Sequence, residues 1–558
     1  MRIARWWSLP VVMLLAVQAR AQSMRCNGEI ISDVSIVAHP PYEELGTRWW
    51  EGPLRFATEL HVTTKPGVVR RFLIVKPGRP CIELERAESE RILRAQPFLA
   101  DASIAVIPDT AGTVALLVET RDELTPVIGG STSGARLTAL KLGEANFLGS
   151  GTFILGEWQD GNTRDTYAVR GTDHQFLGRH YVFTASAARR DHGMSDWTTD
   201  LSHPFLTDQQ RFAWRASAGA IRELFEFHRV EGDRVPFAFQ REFLDVGAVV
   251  RIGVPGRLSL FGVSFSQEED TPFLPPEPLP GVPYDSLVSR HGARRNARVN
   301  GLWGLRNVRF RRVERFDGLT AAQDIRLGFQ LGTLIGRSLS ILNTTDDDYL
   351  IAADLYAGVG GESGIVTLSA RGEGRQNYDT NKWDGILGSM RLAVTQRVMS
   401  THTTTASLEW SGGWRQRIPF QVRLGGRSGM RGFRRSEEAG SQRAVVRLDH
   451  RWYMGQLLRQ ADVGIALFGD AGRVWKGDAP YGVDTPLRYA AGVSLLAAVP
   501  PRSKRTWRLD IAMPIGGQPN SSWELRLSHN VAGREWREPN DVSRSRERSV
   551  PASVFTWP

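Results

Sequence analysis

The sequence predicts an antiparallel all-β transmembrane barrel carried behind one small α+β domain. Three observations predict it. Residues 123–530 fall into segments that alternate apolar and polar side chains, the period of strands with one greasy and one wet face. No later segment supplies the roughly twenty unbroken apolar residues that a helix needs to cross lipid, so a membrane chain of this kind must close its strands into a barrel. The chain also opens on an export signal.

Arg2 and Arg5 give that signal its positive start. Residues 9–17 form an apolar core interrupted by Pro10, and Ala19-Arg20-Ala21 is a small-residue cleavage site, so residues 1–21 read as a signal peptide. Cys26 follows Ser23-Met24-Arg25, which is not a lipid-attachment pattern. Export leads to an oxidising compartment. Cys26 and Cys81 both fall in the domain predicted for residues 22–122 and are a candidate disulfide. It would close a loop of about 55 residues, worth roughly 4 kcal/mol if the effect is mainly on chain entropy. Within this domain the pattern predicts a strand at 30–37, a helix at 54–60, a strand at 68–75 and a helix at 84–95. A hairpin, 103–107 with 113–120, then turns at Asp109-Thr110-Ala111-Gly112.

A hydrophobic content of 41% fits a soluble enzyme as well as a barrel, so arrangement rather than amount decides. The net charge of +10 is modest for 558 residues. It is interleaved with acids along the strands rather than gathered in a basic stripe with stacking aromatics, so no nucleic-acid partner is expected. Gly-x-Ser-x-Gly, His-Glu-x-x-His and Cys-x-x-Cys are absent, and no glycine loop suits a phosphate. The chain is therefore read as no enzyme, with neither metal nor cofactor. His180 and His192 read as loop residues.

Between 123 and 530 the short breaks Asn146-Phe147-Leu148-Gly149-Ser150-Gly151, Gln175-Phe176-Leu177-Gly178 and Gly361-Glu362-Ser363-Gly364 read as tight turns. The longest polar connection, 268–299, reads as an outer loop. Counting alternating segments gives about twenty strands, an even number being expected of a single-chain barrel. Residues 300–336 are the region where hairpins are hardest to separate. The first strand, 123–130, carries Pro126, Gly129 and Gly130, which lack a ladder donor or a packing side chain. The last, 522–530, is short and presents Trp523 and Leu525 on its apolar side. Two poor strands make a candidate lateral seam. Residues 531–558 are polar and arginine-rich and read as a disordered tail hanging in the periplasm.

One loop stands out. Leu424-Gly425-Gly426-Arg427-Ser428-Gly429-Met430-Arg431-Gly432-Phe433 joins two alternating runs and combines tight-turning glycines with arginine forks suited to carboxylates. Downstream lies Phe468-Gly469-Asp470-Ala471-Gly472, and Asp470 and Asp449 fall on the polar faces of their strands. If those faces line a lumen, Arg431 can fold inward and meet both acids.

Met430-Arg431-Gly432-Phe433 resembles the inward-loop motif of the BamA/TamA-type outer-membrane assembly and polypeptide-transport superfamily, with Met430 where that family usually has Val or Ile. Phe468 to Gly472 resembles its Phe-x-Asp-x-Gly strand end, and Asp449 sits where the family often has Glu. Residues 22–122 resemble its periplasmic POTRA domain. The Glu88-Ser89-Glu90-Arg91-Ile92-Leu93-Arg94 stretch looks like the second helix of that domain, and Val118-Glu119-Thr120-Arg121-Asp122 like its last strand. The resemblance implies sixteen strands, a bacterial outer-membrane location and a periplasmic N-terminal domain. It implies a barrel that assembles, inserts or translocates client polypeptides. Its partners would be unfolded outer-membrane or secreted polypeptides, outer-membrane lipids and periplasmic accessory proteins. A two-partner secretion transporter, a passive channel and a lipid-transport barrel are the alternatives.

Overall fold

The structure is a computed structural model. It describes residues 25–546 except 43–44, 47, 111, 134–135, 161–164, 191–193, 231, 233, 427–428, 434–435, 517–522, 533–535 and 537. The export signal, His192 and residues 547–558 therefore lie outside the described residues.

The N-terminal domain is built from β1 (Asn27–His39), α1 (Gly52–Leu60), α2 (Pro66–Phe72), β2 (Pro80–Ile82), α3 (Glu83–Ala95), β3 (Leu99–Pro108) and β4 (Thr113–Asp122). Its sheet runs β2-β1-β4-β3, with β1 and β4 parallel and the other pairs antiparallel. Ile31, Val34, Ile104, Leu116 and Val118 on the sheet meet Val69, Phe72, Ile92 and Leu93 on the helices. Full burial of each such side chain contributes about 1.5–3 kcal/mol. Cys26 and Cys81 are joined, tying the entry of β1 to β2.

Residues 68–75 are not a strand. Pro66 sits in the first helical turn, where its missing N–H costs nothing, and Val68, Val69 and Phe72 form the buried stripe of α2. The β-branched pair misled the propensity reading, and tertiary burial decided the outcome.

The rest of the described chain is one antiparallel sheet of twenty strands. Its order is that of a closed barrel, which brings the last strand, Glu524–Val531, beside the first, Pro126–Ser133. Among the described residues, a residue-by-residue register is defined for every other neighbouring pair. Twenty replaces the sixteen that the resemblance implied. The 300–336 region holds two true strands, Arg294–Glu314 and Ala322–Ser338, paired from Arg298↔Ser338 to Glu314↔Ala322. At 21 and 17 residues these are about twice the roughly 9–11 that a bilayer-spanning strand needs. The long outer connection is shorter than expected, because its flanks continue the strands to Phe273 and from Arg294. Within it a helix, Tyr284–Arg290, buries Tyr284 and Leu287 against Phe227 and Phe237.

The alternation resolves as two faces. Val446, Leu448, Leu467, Val493, Leu495, Ile511, Met513, Leu525 and Leu527 point outward and exposed. Arg298, Arg306 and Arg375 point inward and are fully buried, with Arg298 and Arg375 on Asp348 and Arg306 on Asp208. Among the described residues no helix is long and apolar enough to cross a membrane.

The N-terminal domain docks on the rim at which the first strand begins. Arg94 forks onto Asp324 with two 2.9 Å bonds, Arg91 donates to the Leu206 carbonyl at 2.6 Å, and Asn146 donates to Thr64 Oγ1 at 2.8 Å. Glu123, expected in the first strand, lies before it and accepts from Ser503 Oγ and the Lys504 amide, both at 2.7 Å. Lys504 Nζ donates to the Leu99 carbonyl at 3.0 Å and to that of Arg94. Burial pushes the Lys504 ammonium down to about 8, although the Glu123 carboxylate opposes the fall. Undocked, the lysine keeps its proton up to 10.5; docked, it sheds it near 8. Docking is therefore expected to tighten as pH rises between those values and to be flat below them, by up to about 3 kcal/mol over the window. Lys504→Met is expected to abolish the dependence, measured as the urea midpoint for domain release.

Candidate functional site

The loop centred on Arg431 joins the strands His402–Trp414 and Gln442–Leu457. Its neck is a short ladder, Val422↔Gly440 and Arg423↔Ala439. Beyond the neck the chain turns back: the Leu424 amide donates to the Glu438 carbonyl at 2.9 Å and the Met430 amide to the Leu424 carbonyl at 2.7 Å. Leu424, Met430 and Phe433 are buried against Val445, Val474 and Ala490 of the barrel wall. This apolar plug sets the loop against the wall and aims the next residue.

That residue is Arg431. Its Nε donates to Asp470 Oδ2 at 2.8 Å and its Nη2 to Asp470 Oδ1, while Nη1 and Nη2 reach Asp449 Oδ1 and Oδ2 at 3.0 and 3.2 Å. One guanidinium thus meets two carboxylates, both through paired bonds, the geometry for which its planar fork is suited. The Phe468 ring lies 3.7 Å from Cζ and closes the remaining face. Gly432 has φ +81°, and a Cβ there would lie 3.2 Å from the Ala490 Cβ, so a side chain at this position would be both strained and crowded.

Four residues that the sequence reading did not assign complete the site. Arg508 binds Asp449 and Asp510. Arg447 donates to the Gly429 carbonyl at 3.1 Å. On the last strand, Glu524 accepts from the Gly432 amide at 2.8 Å, and Arg526 donates to the carbonyls of Gly426 and Met430 at 3.2 and 3.3 Å. The loop is therefore tied to one side of the candidate seam. Parity along the strands had placed these residues on the inner face but gave no height along the barrel axis.

The candidate seam residues are less uniform. Pro126, Gly129 and Gly130 lie in the first strand, which begins at Pro126 rather than 123. Leu525 is on the last strand and faces outward, whereas Trp523 precedes it.

The tail departs from expectation. Its described residues lie inside the barrel rather than hanging free. Asp541 bridges Arg443, at 2.6 Å, and the Arg423 amide. Glu538 binds Ser389 and Arg546, and Arg546 also reaches Glu373 at 3.2 Å. Val542 is buried with Leu387, Phe420 and Val422. The Ser545 hydroxyl donates to the Pro419 carbonyl at 2.9 Å. A polar, arginine-rich segment that suits water suits an equally charged lumen. Hydrogen bonds from Arg546 outweigh burial and hold the Glu538 carboxyl below its usual range. Among the described residues no cluster of His, Cys, Asp or Glu could hold a metal ion.

An apolar outer wall, a charged inner wall and a docked α+β domain define a twenty-stranded β-barrel with a small N-terminal domain at one rim. No family model matches the chain, and no curated protein does. Among solved structures the chain is similar to CdiB from Escherichia coli, at 12% identity and TM-score 0.43, covering 90% of this chain and 75% of that one. It is similar to BamA from Haemophilus ducreyi lacking POTRA domains 1–3, at 12% and 0.38, covering 89% and 83%. CdiB from Acinetobacter baumannii stands at 12% and 0.39, covering 90% and 74%. At this distance the likeness is one of fold alone.

Proposed function

We propose that the chain is an outer-membrane barrel that handles client polypeptides, capturing them with its periplasmic domain and passing them at the seam between its first and last strands. The observation that carries this reading is the coupling of the Arg431 loop to the last strand through Glu524 and Arg526. A loop locked on Asp470 and Asp449 then sets the position of the strand that must move. The first strand opposes it with Pro126, Gly129 and Gly130, which pair weakly. In the periplasmic domain β3 is an edge strand, and past Ile31 the outer side of β1 pairs with no strand among the described residues. An extended client can add to such an edge through main-chain bonds.

A second reading, dedicated export of a secreted partner through the lumen, is favoured by a separate observation. The lumen is lined with charges and occupied by residues 538–546, held there by ion pairs rather than by a strand ladder. A passive channel fits neither the occupied lumen nor the docked domain. A disulfide joining the first strand to the last is expected to abolish client handling while leaving the barrel folded; full activity in the locked protein overturns the seam reading. Depletion followed by comparison of outer-membrane and secreted proteomes separates the two readings.

A further inference from the structure

Helix α1 turns an apolar face outward. Trp49, in the turn that leads into it, is 84% exposed, Phe56 64% and Leu60 60%, and Pro53 is exposed between them. The spacing of four, three and four residues puts all four on one face. The opposite side carries Glu51 of the preceding turn and the half-buried Leu54, Arg55 and Thr58, and no residue of α1 itself is fully buried. Glu51 is buried and accepts from Gln460 Nε2 at 2.7 Å, and Arg55 is held on the Gly46 carbonyl at 3.2 Å. A helix on a water-soluble surface shows the opposite arrangement.

Its position says what the apolar face meets. At its start, Glu51 and Tyr42 bind Gln460, in the turn between the strands Gln442–Leu457 and Ala461–Trp475. Just past its end, His61 binds Thr125, immediately before the first strand. Between these anchors in the barrel order lie the last four strands and the seam. The helix thus runs along the periplasmic rim beneath the seam. Beside its anchors, Met454, Leu457, Leu458, Phe147 and Leu148 continue the exposed apolar outer wall to the rim.

We propose that α1 lies in the inner leaflet of the outer membrane, its Trp49, Phe56 and Leu60 seated among phospholipid acyl chains at the headgroup boundary. Interfacial helices bury such a face to that depth, and tryptophan favours that level. The helix would fix the periplasmic domain against the membrane where a client enters or leaves the wall.

The inference rests on the barrel spanning the bilayer, and the test separates the two. The full-length chain, with Cys26 and Cys81 bonded, carries a single environment-sensitive NBD label at Phe56→Cys, Thr110→Cys or Val493→Cys. It is reconstituted in phosphatidylethanolamine–phosphatidylglycerol vesicles with or without brominated acyl chains. Val493 lies on the outer wall and Thr110 at the hairpin tip at the far end of β3 from the rim. The expected result is loss of emission in brominated vesicles at Phe56→Cys and Val493→Cys, with none at Thr110→Cys. Loss at Val493→Cys without loss at Phe56→Cys, or equal loss at Phe56→Cys and Thr110→Cys, overturns the proposal alone. No loss at Val493→Cys overturns it together with the membrane reading.

Discussion

Arg431→Ala is expected to release the inward loop and lower barrel stability by about 3–5 kcal/mol, the usual cost of stranding one member of a buried ion pair. The two acids are not equally exposed to this loss. Asp449 keeps Arg508. Among the described residues Asp470, whose side chain is fully buried, keeps the backbone amide of residue 431 at 3.2 Å and no second guanidinium. Most of the penalty therefore falls on Asp470, and Arg431→Ala with Asp470→Ala is expected to recover part of it. That recovery is the coupling a double-mutant cycle isolates. Arg431→Lys is expected to rescue poorly, since a point charge cannot span both carboxylates. Loss of the heat-resistant folded band on gels, and new protease sites between 424 and 433, are the readouts. Because Gly432 holds Glu524, exchange of backbone amides in the last strand is expected to quicken in the same variant. Wild-type heat resistance in both Arg431→Ala and Asp470→Asn overturns the structural role of the fork.

Much of this was legible in the sequence because lipid and water impose opposite demands on alternate residues. Val446 and Leu448 against Arg447 and Asp449 is a pattern with one physical solution once a helix is excluded, and parity put Asp449 and Asp470 on the same side of the wall, within reach of an inward-folding Arg431. Parity is silent about height. Arg508, Glu524 and Arg526 were visible as inward residues, but nothing in their spacing said that the loop descends to their level. The strands beyond sixteen were legible as alternation, and the structure sides with the pattern over the implied number. Val68 and Val69 were misread because two β-branched residues outweighed the more local signal of Pro66 at a helix start. The tail was misread because composition reports the polarity a segment tolerates and not where it finds it: Glu538, Asp541 and Arg546 exchange water for Arg443, Glu373 and Ser389.

A chain ending at Ala532 is expected to fold and to conduct ions severalfold better than the full-length protein in planar bilayers. The last strand ends at Val531, and the Ala532 amide donates to the Lys504 carbonyl at 2.8 Å, so the barrel keeps every strand. Removal takes away Asp541 from Arg443 and both Glu538 and Arg546 from the wall. The groups left behind are not stranded in a dry core, because the space vacated admits water, and a rehydrated charge costs far less than a buried unpaired one. The stability loss is therefore expected to stay within a few tenths to about 2 kcal/mol, mostly from Val542 leaving Leu387, Phe420 and Val422. The conductance gain has no such compensation, since the segment lies in the lumen between the neck of the inward loop and the strands that carry Glu373 and Ser389. Asp541→Ala with Arg546→Ala, which cuts the charged tethers while keeping the segment, is expected to give a flickering conductance between the two levels. A truncated barrel with the conductance of the full-length chain would mean that the Arg431 loop alone obstructs the lumen. The tail would then be packing on the wall rather than stopping the passage.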